Sequence, residues 1–491
     1  MTSDATAGQE PAVRYGSPQA RWVVAATVLG SGMAFLDGSV VNVALPAIGR
    51  DLHASITGLQ WTVNAYLVTL TALLLLGGSL GDRFGRRKVF VLGLIGFTVA
   101  SLLCAVAPTL GFLVAARAIQ GVAGALLVPG SLSIIAATFH SADRGRAIGA
   151  WSGLAGVASS IGPFLGGWLI DAASWRLIFV INVPLAAAAI YAARHIPETK
   201  AAEEKPIDVI GALVITIALA GVSYACIEHH GRSSLLFAIV GVVAVAAFLA
   251  QERRTPHPML PMAMFRSRQF TGSNLTTFAV YAGLGGALFL VVLRLQISLG
   301  YSALKAGAAL APFTLVMLLL SSRAGQLSQR IGARLPMTFG PIIAALGVLL
   351  LSRVSPGDTY ASGVLPGVIV FSLGMSLTVA PLTSAVLASV SDSLTGAASG
   401  VNNAVARLGS LIAVAVLPAL ARISTAGPVA HSLATGYGTA LTIAAITTAV
   451  GGAIAFLVVR DTAPTARSSH PCPDYSCQDP MVLRPAGVTD P

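Results

Sequence analysis

Fourteen stretches of roughly 20 apolar residues recur along this 491-residue chain, and that recurrence restricts the fold more than any other feature. They fall near 22–46, 59–80, 89–107, 111–137, 147–170, 177–193, 208–227, 234–250, 273–297, 306–322, 336–352, 361–387, 398–420 and 437–459. At ~1.5 Å per residue each can cross a ~30 Å hydrocarbon layer as a helix, whose backbone groups satisfy one another without water. The expected class is an all-α integral membrane protein with 14 transmembrane helices, short connections and two polar tails, 1–20 and 461–491. Composition closes off the alternatives. Hydrophobic residues make up 55% of the chain and charged residues 10%, where a soluble domain carries ~25% charged residues. A soluble enzyme is excluded, and so much apolar surface also excludes disorder.

Lys and Arg total 30 against 19 Asp and Glu. The basic residues sit in short clusters between apolar runs, not on one continuous face, so no nucleic-acid partner is expected. With the amino terminus placed in the cytoplasm, 21 of them fall in inner segments, 6 in outer loops and 3 within spans, as the positive-inside rule requires. An even number of crossings then puts both termini in the cytoplasm, with the lipid bilayer as a partner. The Arg-over-Lys bias and Ala-rich spans fit a bacterium with a GC-rich genome, hence the bacterial plasma membrane. Residues 1–20 are polar, so the first run is read as a span and not as a cleaved signal. Cys104 and Cys226 lie inside apolar runs, and Cys472 and Cys477 in the tail, which has six prolines in 31 residues and is expected to be disordered. That spacing makes neither a disulfide framework nor a metal site. No GxxxxGK[ST] motif occurs, so neither ATP nor another cofactor is expected to drive the protein directly.

An internal repeat organises the spans. Gly78-Ser-Leu-Gly-Asp82-Arg83-Phe-Gly85-Arg86-Arg87 and Gly325-Gln-Leu-Ser-Gln329-Arg330-Ile-Gly332-Ala-Arg334 lie 247 residues apart and align without a gap. The first half then begins at span 1 and the second at span 9, with spans 7 and 8 inserted between them. The resulting domains are a tail at 1–20, a six-helix bundle at 21–193, a linker with two inserted helices at 194–270, a second six-helix bundle at 271–460 and the tail. Parallel six-helix repeats are a transporter architecture, with the substrate site between the halves.

Four motifs carry a resemblance to a known family. Gly78 to Arg87 resembles the loop 2-3 motif of the major facilitator superfamily, and Arg117-Ala-Ile-Gln120-Gly121-Val-Ala-Gly124 its span 4 motif. Gly162-Pro163-Phe-Leu-Gly166-Gly167 resembles its span 5 antiporter motif, with Ala158 where Gly usually begins it. Leu36-Asp37-Gly-Ser-Val-Val-Asn42-Val-Ala-Leu-Pro46 is similar to the span 1 motif of its fourteen-span drug:proton antiporters. The resemblance implies a major facilitator fold and export of small amphipathic compounds, drugs or a specialised metabolite, in exchange for protons. The alternative is a dedicated substrate, such as a lipid, amino-acid derivative or siderophore, with drug efflux incidental. It implies a protein that is not an enzyme, acts as a monomer and needs only the proton gradient.

Asp37 is the one carboxylate deep within a run, and an ionisable group there is functional by default. If span 1 ends near Pro46, Asp37 lies ~13 Å below the outer end, and Arg117 on span 4 ~9 Å below it. Paired, they offset each other's burial and favour the carboxylate; separated in another conformer, they favour its protonated form. The pair is either this proton-coupling switch or a permanent structural bridge. Gly78, Asp82, Arg83, Gly85, Arg86 and Arg87 resemble the family's conformational latch; the Arg cluster serves equally as an orientation signal. Gly162, Pro163, Gly166 and Gly167 are expected to give span 5 a smooth, bendable surface. Asn42, Asn64, Tyr66, Tyr281, Gln296, Asn402 and Asn403 either line a cavity or join helices. Arg294 and Arg407 either snorkel or face that cavity, leaving it net positive and unfavourable to lipophilic cations.

Overall fold

The structure, a computed structural model, describes residues 13–200, 207–228, 231–255, 258–391, 394–423 and 429–460. The proline-rich tail, His229 and His230 lie outside them. Helices follow the apolar runs one for one: α1 (Pro18–Asp51), α2 (Ile56–Phe84), α3 (Arg86–Ala105), α4 (Leu110–Thr138), α5 (Ser141–Ala172), α6 (Leu177–Ala193) and α7 (Val209–Ile227). The series continues with α8 (Arg232–Arg254), α9 (Arg268–Ser298), α10 (Ala303–Ile331), α11 (Arg334–Leu351), α12 (Tyr360–Ala388), α13 (Thr395–Leu420) and α14 (Val429–Val458). Among the described residues, 12 helices are long and apolar enough to cross a membrane, with α6 a shorter apolar one. That is a narrower result than the expected fourteen crossings. The 32-residue α5 is not among the 12, and it carries Asp143, Arg144 and Arg146 in its first turns.

Ends are set by local chemistry. Ser17, Ser55 and Thr109 each accept a backbone N–H from the first turn of α1, α2 and α4, which satisfies one orphan donor per helix. The two repeat copies stop α2 and α10 alike: Gly85 and Gly332 stand just past the last turn with φ of 111° and 86°, left-handed values that glycine adopts without steric cost. One expectation fails at α1. Pro46 does not end the helix, which runs on to Asp51; neighbours that cover the freed carbonyl allow a membrane helix to pass through proline.

Helices α1 to α6 pack mainly among themselves, α9 to α14 likewise, and the α7–α8 hairpin leans on α2 and α13. Only 17% of the most apolar window of α8 is buried, with Leu235, Leu236, Ile239, Val242 and Val243 exposed. That much bare apolar surface is stable only against lipid. The end of the bundle carrying residues 84–88, 139–146 and 331–334 is called the near face below, and the opposite end the far face. Towards the far face one large core, from Leu36, Val40 and Leu45 to Val280, Leu290 and Leu293, spans both helix groups. Towards the near face the cores separate into one of α1–α6 and two of the second group. The groups are therefore joined most broadly at the far face; below it they still touch along α2 and α13, where Val68, Ala72 and Leu411 cluster with Leu219 of α7 and a Cβ on Gly400 would lie 3.1 Å from Leu75.

Candidate functional site

Where the groups part, α1 and α4 hold a closed polar network. Asp37 is fully buried and Arg117 is 1% exposed. One carboxylate oxygen of Asp37 accepts from Arg117 Nη1 at 2.5 Å, and the other accepts from Gln120 Nε2 at 2.9 Å. Arg117 also donates to Gln120 Oε1 at 2.7 Å and through Nε to the Thr62 carbonyl at 3.2 Å. Its guanidinium carbon lies 4.3 Å from the centre of the Tyr66 ring. Ser101 then accepts from Gln120 and from Asn182. Sequence reading placed Asp37 and Arg117 together but missed Gln120, Ser101 and Asn182 as partners. Gln120 was legible in principle, since three residues after Arg117 it shares a face of α4.

Asp37 alone of the described carboxylates sits in this network, and each of its oxygens has a donor. Such a pair is held by desolvation as much as by charge, because removing one member strands the other in a low-dielectric interior.

Gly38, next along α1, is exposed and has open space where a Cβ would stand. It borders a cleft between α1 and α13, two helices that do not pack along their length. Across it Arg407 is half-buried, its guanidinium carbon 5.7 Å from the Phe35 ring centre. Tyr281 is half-buried nearby, and Tyr66, buried, donates to the Ala34 carbonyl. The other polar candidates make helix contacts, Asn42 beside Gly38 at the cleft edge. Asn42 and Asn403 donate to their own helices, and Asn402 accepts from Thr277 on α9. Asn64 is fully buried with neither amide atom bonded.

Arg294 does not share this cleft. It lies in a π-turn at the end of α9, donates to the Val354 carbonyl at 3.1 Å, and lines a far-face cavity of about 560 Å³ with Arg353, Ser355 and Tyr437.

The cleft is sealed above by contacts between groups. Gln60 on α2 donates to the Val414 and Ala415 carbonyls of α13 at 2.7 and 3.1 Å, and Gln296 on α9 donates to Val43 of α1 at 2.8 Å. Asp171 of α5 accepts from the backbone N–H groups of Ala303 and Leu304 at 3.1 and 2.8 Å. Gly162 and Gly166 lie against Ser39 and Val40, whereas Gly167 lies against α10: a Cβ there would fall 2.6 Å from the Ala303 oxygen. The Pro163 carbonyl meets Gly307. Among the described residues, every hydrogen bond between the two groups lies in this far-face seal. The loop at 78–87 makes none: Asp82 pairs with Arg86 at 2.8 Å, and Arg87 bonds the Ile196 carbonyl. Gly78 faces Pro129, and Arg83 lies over Phe84. Glu198, unremarked in the sequence, accepts from the N–H groups of Arg87 and Lys88 at 3.1 and 3.2 Å.

A lipid-exposed helical bundle in two groups about a central cleft, sealed at one face and holding a buried ion pair, has the architecture of a membrane transporter. The chain belongs to the major facilitator superfamily, whose model, described as "Major Facilitator Superfamily", matches residues 27–414. The four motifs anticipated this, and a transporter, not an enzyme, is what the membership means. The chain is 33% identical over 417 residues to the "Probable actinorhodin transporter" of Streptomyces coelicolor, covering 82% of this chain and 72% of that one. It is also 33% identical over 399 residues to the "Multidrug resistance protein Stp" of Mycobacterium tuberculosis, covering 80% and 74%. A bacterial homologue of the human lysosomal transporter Spinster shares the fold with a TM-score of 0.66 at 17% identity, over 90% of this chain and 97% of that one.

Proposed function

We propose that this protein exports small amphipathic compounds, drugs or a specialised metabolite, across a bacterial plasma membrane in exchange for protons. The observation that carries the reading is Asp37, fully buried in a network made wholly by α4, α1 and their neighbours in the first group. A carboxylate so placed binds a proton only when Arg117 and Gln120 draw away, which ties its charge state to helix movement. The names of the relatives, a transporter of actinorhodin and a multidrug resistance protein, support efflux as the direction.

In this reading α5 and α6 join the 12 apolar helices to make fourteen crossings, and the charge distribution puts the near face and both termini in the cytoplasm. Residues 21–193 and 271–460 are the moving bodies, with 194–270 as the inserted linker. The far-face seal makes the present conformation open to the cytoplasm. The loop at 78–87 acts as the latch when the near face closes, and Pro163 with its flanking glycines lets α5 bend during that motion. One proton entering down ~150 mV supplies roughly 3.5 kcal/mol, enough for a gradient of several hundredfold at ~1.4 kcal/mol per factor of ten. No further cofactor is needed.

Proteoliposomes with an imposed pH gradient test this directly. Proton-driven transport of a neutral amphipathic dye is expected from the parent protein and not from Asp37→Asn, which keeps the size and hydrogen-bonding reach of the carboxylate. Equal gradient-driven rates in the two would remove Asp37 from the coupling.

A further inference from the structure

Arg407 lies 12 residues into α13, about 18 Å along the helix from its near-face start. Its side chain turns across the cleft to Phe35 instead of towards the near face. Among the described residues no carboxylate pairs with it and no hydrogen bond holds it. The one acid at this level, Asp37, is already engaged by Arg117 and Gln120. A cation in a low-dielectric site is costly unless something compensates it, and here no compensating carboxylate or hydrogen bond is found among the described residues while Arg407 is half-buried beside the cleft. Solvent reaching a half-buried guanidinium would offset part of that cost while the near face is open; when that face closes, that solvation has to be replaced.

The surroundings say what replaces it. Phe35 and Tyr281, both only partly buried, offer ring surface beside the guanidinium, and aromatic groups pack on such rings in offset or edge-on geometry. Guanidinium N–H groups form their strongest bonds to carboxylates, sulfonates and phenolates. With Asp37 neutralised by Arg117, the cleft carries one net positive charge.

We propose that Arg407, flanked by Phe35 and Tyr281, is the charge-selecting element of the substrate site, and that the compounds it selects are aromatic monoanions. The proposal takes the exporter reading as given and names its substrate class. An anion leaving as a proton enters moves two charges in the same electrical sense, so the membrane potential drives its export more steeply than that of a neutral compound.

The test measures binding in nanodiscs with no gradient, so that it stands apart from proton coupling. The probes are 7-methoxycoumarin-4-acetic acid, its neutral methyl ester and its cationic dimethylaminoethyl ester, with empty nanodiscs subtracted. The parent protein is expected to bind the acid about tenfold more tightly than the cationic ester. Arg407→Gln is expected to weaken the acid by a similar factor, leave the methyl ester within about twofold, and be partly rescued by Arg407→Lys. A monodisperse elution profile shows that each variant is folded. Equal losses for acid and methyl ester, a preference of the parent for the cation, or no saturable binding of the acid would each overturn the assignment. If the acid binds as expected but the pH gradient drives no transport, the proton-exchange reading fails and this one survives.

Discussion

Residues 21–193 and residues 268–460 each carry ten Lys and Arg, yet the first stretch has five acids and the second two. The four ion pairs between described residues all use cations of the first group: Arg117–Asp37, Arg86–Asp82, Arg87–Glu198 and Arg176–Asp51. In the second group Arg294 rests on the Val354 carbonyl and over the Tyr437 ring, and Arg407 over Phe35. A cation paired with a carboxylate feels every proton its partner gains or loses. One held by carbonyls and rings keeps a constant charge and its attraction for an outside anion. In the proposed exchange for protons, the first group would respond to the proton and the second would hold its charge steady.

The largest effect expected from breaking this contrast is at Asp37→Ala. It strands Arg117, 1% exposed, without a counter-charge, and is expected to cost about 3–5 kcal/mol of stability. Replacing both members, as in Asp37→Leu with Arg117→Met, is expected to recover most of that loss while leaving no gradient-driven transport. Chemical denaturation in detergent micelles checks both. If Asp37→Ala unfolds within about 1 kcal/mol of the parent, the pair is not held by mutual desolvation and the contrast loses its main support.

A smaller effect is expected where the two groups touch. Gly167 presents no side chain to Ala303 and Leu304 across the far-face seal. A side chain there meets backbone, which cannot rotate away, and overpacking of this kind costs about 1–3 kcal/mol. Because the contact joins groups that part elsewhere, the strain is relieved by opening the seal. Gly167→Leu is expected to raise far-side labelling of a cysteine at Ser39 by an impermeant maleimide several-fold over the same cysteine alone. Unchanged labelling with an unfolding loss would show that α5 and α10 belong to one rigid unit.

The parts of this molecule that follow from solvation were legible in the sequence. The apolar runs and helices coincide because lipid imposes the same demand on every crossing, and the two copies of the loop end helices alike because Gly85 and Gly332 both take left-handed backbone. The Asp37–Arg117 contact was legible because a buried acid and a buried cation each need a partner. Side chain to carbonyl contacts were not. Gln60, Gln296 and Asp171 seal the far face through backbone atoms 253 to 355 residues away in two cases and 132 to 133 in the third, and a backbone atom leaves no trace of its identity in the sequence. Asn402 joined helices, accepting from Thr277 of α9, while Asn42 turned back to the Gly38 carbonyl of its own helix, each taking the nearest free group.

The finest difference between the groups is how the helix after each repeat copy begins. Gly85 gives α3 no capping side chain, and the N–H groups of Arg87 and Lys88 are met instead by the Glu198 carboxylate from beyond α6. The equivalent start of α11, after Ala333, has no side-chain cap, and Arg334 bonds the Phe456 carbonyl. A carboxylate on the first turn satisfies orphan donors and suits the positive end of the helix dipole. Glu198→Ala is therefore expected to lose about 1 kcal/mol, read as a shift in denaturation midpoint, and Glu198→Gln, which keeps acceptor oxygen but no charge, about half as much. A Glu198→Gln variant as stable as the parent would mean that charge contributes nothing at this helix start, and that the acids of the first group matter only where they are buried.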